Sequence, residues 1–100
     1  PVIPEFCQHN AHMYYIKVKN IEVRAALIAY LKSREITTVF HYIPLHSAPC
    51  GMKHGRFSGQ DVWTTKESER LLRLPLYYGL SEADVSTVVS GLKSFFGMVP

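Results

Sequence analysis

The feature that most constrains the fold is a change of hydrophobic period in the first half of the chain, from the period of a strand to that of a helix and back. Residues 13–18 alternate between apolar and polar side chains, which is typical of a half-buried strand. Residues 21–34 place apolar side chains at helical spacing behind Asn20, a favourable N-cap residue. Residues 37–43 are rich in β-branched and aromatic side chains. The pattern predicts a strand–helix–strand unit.

A long loop and a short helix are predicted next. Residues 44–62 contain prolines, glycines and mixed polar residues, and loops of this length are often binding loops. Thr64 and Glu67 have the spacing of a capping box, which predicts a short helix that starts there and ends near Leu71.

The C-terminal part predicts a strand and a helix. Pro75 lies within the strand expected over residues 72–78, and since proline cannot donate to a ladder, this is an edge strand or is interrupted there. Ser81 and Asp84 form a second capping box, and Gly97 ends the helix. We expect this helix to bury one apolar stripe, formed by Val85, Val88, Val89, Leu92 and Phe96.

The order of elements predicts an α+β fold, a small two-layer sandwich of about three strands with helices mainly on one face of the sheet. With 100 residues and 47% hydrophobic content the chain can form one core. Residues 1–8 contain two prolines and indicate an extended connector from a preceding domain, which leaves residues 9–100 as the domain itself.

Charge, apolar runs and cysteine content limit the partners and the compartment. The formal net charge is +3, but acidic and basic residues are interleaved, so the sequence lacks the basic stripe of a nucleic-acid binder. Its apolar runs are far shorter than the roughly 20 residues of a membrane span. Cys7 and Cys50 are too few for a disulfide framework and are expected to be reduced, which indicates a cytoplasmic protein.

The segment from His41 to His46, His-Tyr-Ile-Pro-Leu-His, is the candidate site because it lies where a predicted strand gives way to a loop. If the strand stays regular, His41 and Tyr42 point to opposite faces of the sheet. The structural alternative is an interior histidine and a packing tyrosine.

Cysteine and histidine density raises a second function class, a non-enzymatic α+β interaction module whose His/Cys-rich loop binds a protein partner or a metal. Zinc accepts mixed sulfur and nitrogen ligands, but the sequence lacks a paired two-cysteine knuckle. Pro49 and Gly51 also oppose the helix that would bring the second trio of ligands together. The two trios are Cys7, His9 and His12, and His46, Cys50 and His54.

Five segments in order and spacing resemble one protein family. Together they cover the chain from about His9 to Phe96 and resemble the C-terminal domain of the DegT/DnrJ/EryC1 sugar aminotransferases. The segments are His12 to Ile16, the helix with Arg24 and Leu31, His41 to His46, Thr64 to Arg70, and Leu74 to Leu76.

This resemblance implies a fold-type I pyridoxal phosphate enzyme, an obligate homodimer, that moves an amino group from glutamate to C4 of a dTDP-4-keto-6-deoxyhexose. It places His41 and Tyr42 against the sugar-nucleotide substrate, where His46 joins the contact or fixes the turn. The family's Schiff-base lysine belongs to a large domain that precedes this part, so the resemblance implies neither a catalytic residue nor a bound cofactor in the chain itself. None of Lys17, Lys19, Lys32, Lys53, Lys66 and Lys93 occupies a matching motif.

Aromatic residues are dense for so small a sheet. Some are expected to pack on the large domain, and ordinary strand composition is the alternative. They are Tyr14, Tyr15, Phe40, Tyr42, Trp63, Tyr77 and Tyr78.

Overall fold

The structure is a computed structural model that describes residues 2–98. Three strands, four α-helices and a 3-10 turn follow one another in the order β, α, β, 3-10, α, α, β, α over these residues. They are β1 (Tyr14–Lys17), α1 (Ile21–Lys32), β2 (Val39–Phe40), the 3-10 turn (Leu45–Ser47), α2 (Pro49–His54), α3 (Thr64–Arg70), β3 (Leu71–Leu74) and α4 (Glu82–Phe95).

The sheet has the order β1-β3-β2, and β3 is antiparallel to both neighbours. Leu72 at its centre pairs with Ile16 on one side and with Phe40 on the other. The predicted α+β sandwich with about three strands is therefore confirmed. Because β3 lies between β1 and β2, the two strands of the predicted strand–helix–strand unit are not neighbours in the sheet.

The core lies between this sheet and the helices. Leu27 and Leu31 of α1 and Leu72 of β3 are completely buried. Val18 and Ile36, which follow β1 and α1, complete the buried cluster. Full burial of a leucine side chain contributes about 2 kcal/mol, so these contacts hold the two layers together.

Residues that flank α1 determine where the helix begins and where it ends. The predicted N-cap is confirmed, because the Asn20 side chain accepts a hydrogen bond from the Val23 N–H at 3.0 Å. At the other end, the N–H of Ile36 donates to the Leu31 carbonyl, at 3.0 Å, in a Schellman-type closure. Glu35 takes the left-handed position of this motif with φ 63°.

Helix α4 has the predicted ends but a different buried face. The capping box of Ser81 and Asp84 is present. Gly97 has φ +67° and closes the C-terminus, where the Met98 N–H donates to the Lys93 carbonyl at 2.8 Å.

The buried stripe predicted for α4 is partly wrong. Val88, Leu92 and also Phe95 pack against the core, and Gly91 is the buried residue of the helix. A Cβ at Gly91 would lie only 3.0 Å from Leu31 Cδ2, so the helix approaches α1 through its smallest residue. Val85, Val89 and Phe96 remain 45%, 42% and 40% exposed in consequence.

Two predicted strands are shorter than expected. The second contains only Val39–Phe40 instead of residues 37–43. The third, Leu71–Leu74, ends before Pro75, which confirms the interruption, although β3 is central and not an edge strand.

The loop predicted over residues 44–62 contains the 3-10 turn and α2. Pro49 stands at the start of α2, where a missing N–H is tolerated. A Cβ at Gly51 would lie 1.6 Å from the Leu45 carbonyl oxygen, so only glycine lets these two elements approach. Among residues 2–98, no helix has the length and apolar character needed to cross a membrane.

Relief of the left-handed backbone at Glu35 gives a stability prediction. Glu35→Gly should raise the free energy of unfolding by about 1 kcal/mol, because a side chain with φ 63° crowds its own backbone. Glu35→Ala is the matched control, since it removes the carboxylate but keeps the Cβ. Urea unfolding of the three proteins tests this, and equal gains for both variants would contradict the backbone explanation.

Candidate functional site

His41 and Tyr42 lie directly after β2, where the chain leaves the sheet. Because the strand ends at Phe40, the two side chains do not point to opposite faces as a regular strand would require. Their ring centroids are 4.4 Å apart in an edge-to-face contact. The structure therefore brings these two predicted residues together.

The His41 ring contains a buried nitrogen. Nδ1 is out of solvent and has no hydrogen-bond partner among residues 2–98. Burying a polar atom without a hydrogen-bond partner costs about 1–3 kcal/mol, so His41 lowers the stability of the described chain.

Tyr42 is fixed through its backbone and open at its side chain. Its carbonyl accepts a hydrogen bond from the Ser68 hydroxyl of α3, at 2.5 Å, while 70% of the residue is exposed. It borders a groove of about 320 Å³ that Arg24, Phe40 and Thr65 also line. Arg24 lies over the Phe40 ring at 5.3 Å and so closes one side of this groove.

His46 faces a different groove. It stands in the 3-10 turn, and the groove beside it has a volume of about 680 Å³. Its lining is mainly apolar and includes Phe57, with His54 and Arg56 as the basic residues. Tyr42 and His46 therefore line different grooves. The two grooves are neighbours, because Thr65 lines the first and Thr64 lines the second.

An acidic residue that sequence reasoning missed holds His46. Asp61 Oδ2 lies 2.8 Å from His46 Nε2, and Asp61 Oδ1 accepts a hydrogen bond from the Thr65 N–H at 3.2 Å. The Thr65 hydroxyl also donates to Asp61. This hydroxyl is the main cause that lowers the pKa of the carboxyl, and the Thr65 amide and the neighbouring His46 ring lower it further.

The same contacts overturn the capping box predicted at Thr64. Trp63 is the N-cap position of α3 and caps with no side-chain hydrogen bond. Asp61, two residues earlier, supplies the acceptor that the first turn needs. A capping box assigned by spacing alone therefore named the wrong residue, and an aspartate shortly before two threonines was the available signal.

Charged groups also tie α3 to β1. Glu67 contacts Lys17 Nζ at 2.6 Å and Arg70 Nη1 at 3.0 Å. The hydrogen bond from Lys17 is the main cause that lowers the pKa of Glu67. Arg70 Nε donates to the Val18 carbonyl at 2.8 Å, which anchors the base of the candidate site to the sheet.

A metal site does not form in the described part of the chain. Residues 2–98 contain no group of three or more His, Cys, Asp or Glu side chains placed to hold a metal ion. Helix α2 begins at Pro49 and contains Cys50 and His54, but His46 lies in the separate 3-10 turn, so no single helix presents all three residues, as expected. Cys7 and Cys50 are both exposed thiols.

The lysines do not suit a covalently held cofactor. A Schiff-base lysine needs a desolvated or electrostatically tuned pocket, and all six lysines of the described chain are exposed instead. The residues present therefore do not form a pyridoxal phosphate site by themselves.

Comparison with known proteins identifies the class to which this fold and site belong. Residues 2–93 match the DegT/DnrJ/EryC1/StrS aminotransferase family. The chain belongs to this family.

Two proteins illustrate the similarity. An uncharacterized protein of Methanocaldococcus jannaschii, MJ1066, is 33% identical over 101 residues, which cover 93% of this chain and 25% of that protein. The crystal structure of the aminotransferase TlmJ from Streptoalloteichus hindustanus superposes with a TM-score of 0.83 at 26% identity, over 98% of this chain and 25% of that one. The chain thus spans about a quarter of the length of the relatives it matches.

Acid should destabilise the domain through its paired carboxylates. The pKa values of Asp61, Glu67 and Asp84 are all lowered in the folded state, so the stability they contribute is present above their unfolded pKa and is lost as the pH falls through the folded one. Chemical denaturation between about pH 6 and about pH 2 should show this loss. The triple variant Asp61→Asn, Glu67→Gln, Asp84→Asn should have a flatter acid dependence, and an unchanged slope would contradict the assignment.

Proposed function

We propose that the chain is the small C-terminal domain of a pyridoxal phosphate-dependent nucleotide-sugar aminotransferase. The parent enzyme transfers the amino group of glutamate to C4 of a dTDP-4-keto-6-deoxyhexose, as a dTDP-4-amino-4,6-dideoxygalactose transaminase does. Such an enzyme acts in the cytoplasm, in the synthesis of cell-surface polysaccharide such as enterobacterial common antigen. The observation that carries the proposal is the family match over residues 2–93, since it includes the whole candidate site.

The surface of the chain supports a role as part of a larger protein. Its accessible area is 8028 Å², whereas a compact monomer of 11.4 kDa exposes about 5,800 Å². The excess, on the order of 2,000 Å² on this chain alone, is large enough for one partner's share of an obligate interface. The radius of gyration, 16.1 Å, is likewise above the roughly 13 Å of a compact domain of this length.

Aromatic side chains account for part of this surface. Tyr15 is half-buried, and the other six of the predicted set are exposed. Their exposures are Tyr14 53%, Phe40 45%, Tyr42 70%, Trp63 67%, Tyr77 57% and Tyr78 106%. We propose that the large domain of the same polypeptide, and a second copy of the homodimer, cover some of these residues in the parent enzyme.

The cofactor belongs, in this proposal, to the large domain. Pyridoxal phosphate supplies the electron sink for amino-group transfer when it is bound there. All six lysines of this chain are exposed, which supports a Schiff-base lysine outside it. The chain alone is then inert, and its contribution is to close over the substrate.

The substrate contacts proposed for this chain come from the residues at the end of β2 and in the 3-10 turn. The buried Nδ1 of His41 lacks a partner among residues 2–98, and the exposed Tyr42 stands beside it. These groups suit hydrogen bonds to hydroxyl or diphosphate oxygens of a nucleotide sugar. His46, held by Asp61, completes the set at the neighbouring groove.

The absorption spectrum of the parent protein tests the proposed activity. The chain extended at its N-terminus to the length of its relatives should bind pyridoxal phosphate and show a visible band that shifts when glutamate is added. This follows from the family's chemistry, in which the cofactor accepts the amino group. A colourless protein that does not bind the cofactor would overturn the proposal.

A second prediction concerns His41 in the same parent protein. His41→Ala should lower kcat/KM for the nucleotide sugar by at least about tenfold, because a hydrogen bond to a charged group is worth roughly 1.5–3 kcal/mol. The free energy of unfolding should fall by less than about 1 kcal/mol, since Nδ1 has no partner to lose among residues 2–98 and its removal relieves the cost of an unpaired buried nitrogen.

The control for this measurement is His9→Ala, which removes an exposed histidine that lines neither groove. It should leave both turnover and stability close to those of the parent. Equal losses of turnover and stability in His41→Ala would instead identify His41 as a core histidine.

A further inference from the structure

Asp61 and His46 form a contact for which the proposed substrate role gives no reason. The two side chains are only 22% and 19% exposed, with Nε2 and Oδ2 at 2.8 Å. The Phe57 ring meets the imidazole edge-to-face, with the centroids 4.5 Å apart. The imidazole is therefore held both by a charged group and by an aromatic ring.

Both oxygens of Asp61 are occupied. Oδ1 accepts the hydrogen bond from the Thr65 N–H, at 3.2 Å. Oδ2 accepts from the Thr65 hydroxyl and also faces the ring nitrogen of His46. A carboxylate accepts on both oxygens, whereas an amide accepts on only one, so the arrangement requires the acid itself. Its lowered pKa keeps Asp61 ionised near neutral pH.

This hydrogen-bond pattern assigns the orientation of the imidazole. An ionised carboxylate can only accept, so Nε2 of His46 carries a proton. In the neutral ring, Nδ1 then has the lone pair and is the atom that can accept from a ligand. With Nε2 on Asp61, Nδ1 is the nitrogen of His46 that remains for a contact with a ligand.

We propose that Asp61 is a positioning residue, which holds Nε2–H of His46 toward the loop and presents Nδ1 to the nucleotide sugar. This inference rests on the proposed function, in which His46 contacts that substrate. Thr65 is the second support, because its N–H and hydroxyl fix the carboxylate plane against α3. The geometry resembles other histidines oriented through their second nitrogen by a carboxylate.

Asp61→Asn in the full-length parent enzyme tests the inference. If the amide oxygen stays on the Thr65 N–H, the amide nitrogen faces His46, and the ring must move its proton from Nε2 to Nδ1. We expect kcat/KM for the nucleotide sugar to fall roughly 10-fold to 100-fold, as when a carboxylate that orients a histidine is replaced. The glutamate half-reaction, followed by the cofactor spectrum, should be unchanged.

A double-mutant cycle distinguishes action through His46 from a general effect on the loop. His46→Ala should also lower kcat/KM for the nucleotide sugar, and adding Asp61→Asn to it should cause no further loss. A full additional loss in the double variant would overturn the positioning role and assign Asp61 to helix capping alone. Unchanged kinetics of Asp61→Asn, beside an impaired His46→Ala, would overturn it as well.

Asp84→Asn is the matched control. Asp84 is also a capping aspartate with a lowered pKa, but its partners are Ser81 and Tyr77 and no histidine. It should leave the kinetics of both substrates unchanged, and a loss equal to that of Asp61→Asn would overturn the inference.

The same measurements distinguish a failure of the proposed function from a failure of the positioning role. If His46→Ala has normal kinetics, the substrate role of His46 is wrong and the positioning role falls with it. A parent protein that shows no spectral change with glutamate would overturn the aminotransferase proposal itself.

Discussion

The packing of α1 on the central strand is the contact on which the rest of the fold depends. Leu27, Leu31 and Leu72 are the largest completely buried side chains, and they join the first helix to the last strand. Losing one of them would cost about 2–5 kcal/mol, a large part of the stability of a domain of this size. Gly91 brings α4 close to the same cluster, so both long helices use one set of contacts.

The candidate site depends on this core indirectly. Arg70 is the last residue of α3, directly before β3, and its side chain donates to the Val18 carbonyl. Glu67 forms ion pairs with both Arg70 and Lys17. Through Ser68, the same helix holds the backbone of Tyr42. Helix α3 is short and has no side-chain hydrogen bond from its N-cap residue, so its contacts with the sheet stabilise it. Its own side chains then position the loop that contains the candidate site.

Whether a feature could be predicted from the sequence depends on how far apart in the sequence its residues lie. The caps at Asn20 and Ser81 involve residues three apart, and they were read correctly because neighbouring residues decide them. Helix α2 was missed because it depends on the approach of Gly51 to the Leu45 carbonyl, which composition does not reveal. In the site, His41 and Tyr42 were singled out by their position after a strand. Asp61 was missed because fourteen residues separate it from His46, and only the fold brings the two side chains together.

The order of the strands has a consequence for synthesis. β1 and β2 never pair with each other, and each pairs only with β3. No ladder can therefore form on the ribosome until Leu74 has left the exit tunnel, although α1 can already be helical. Until then the apolar side of α1 has no sheet to cover it, so the two layers can pack only after β3 has been synthesised.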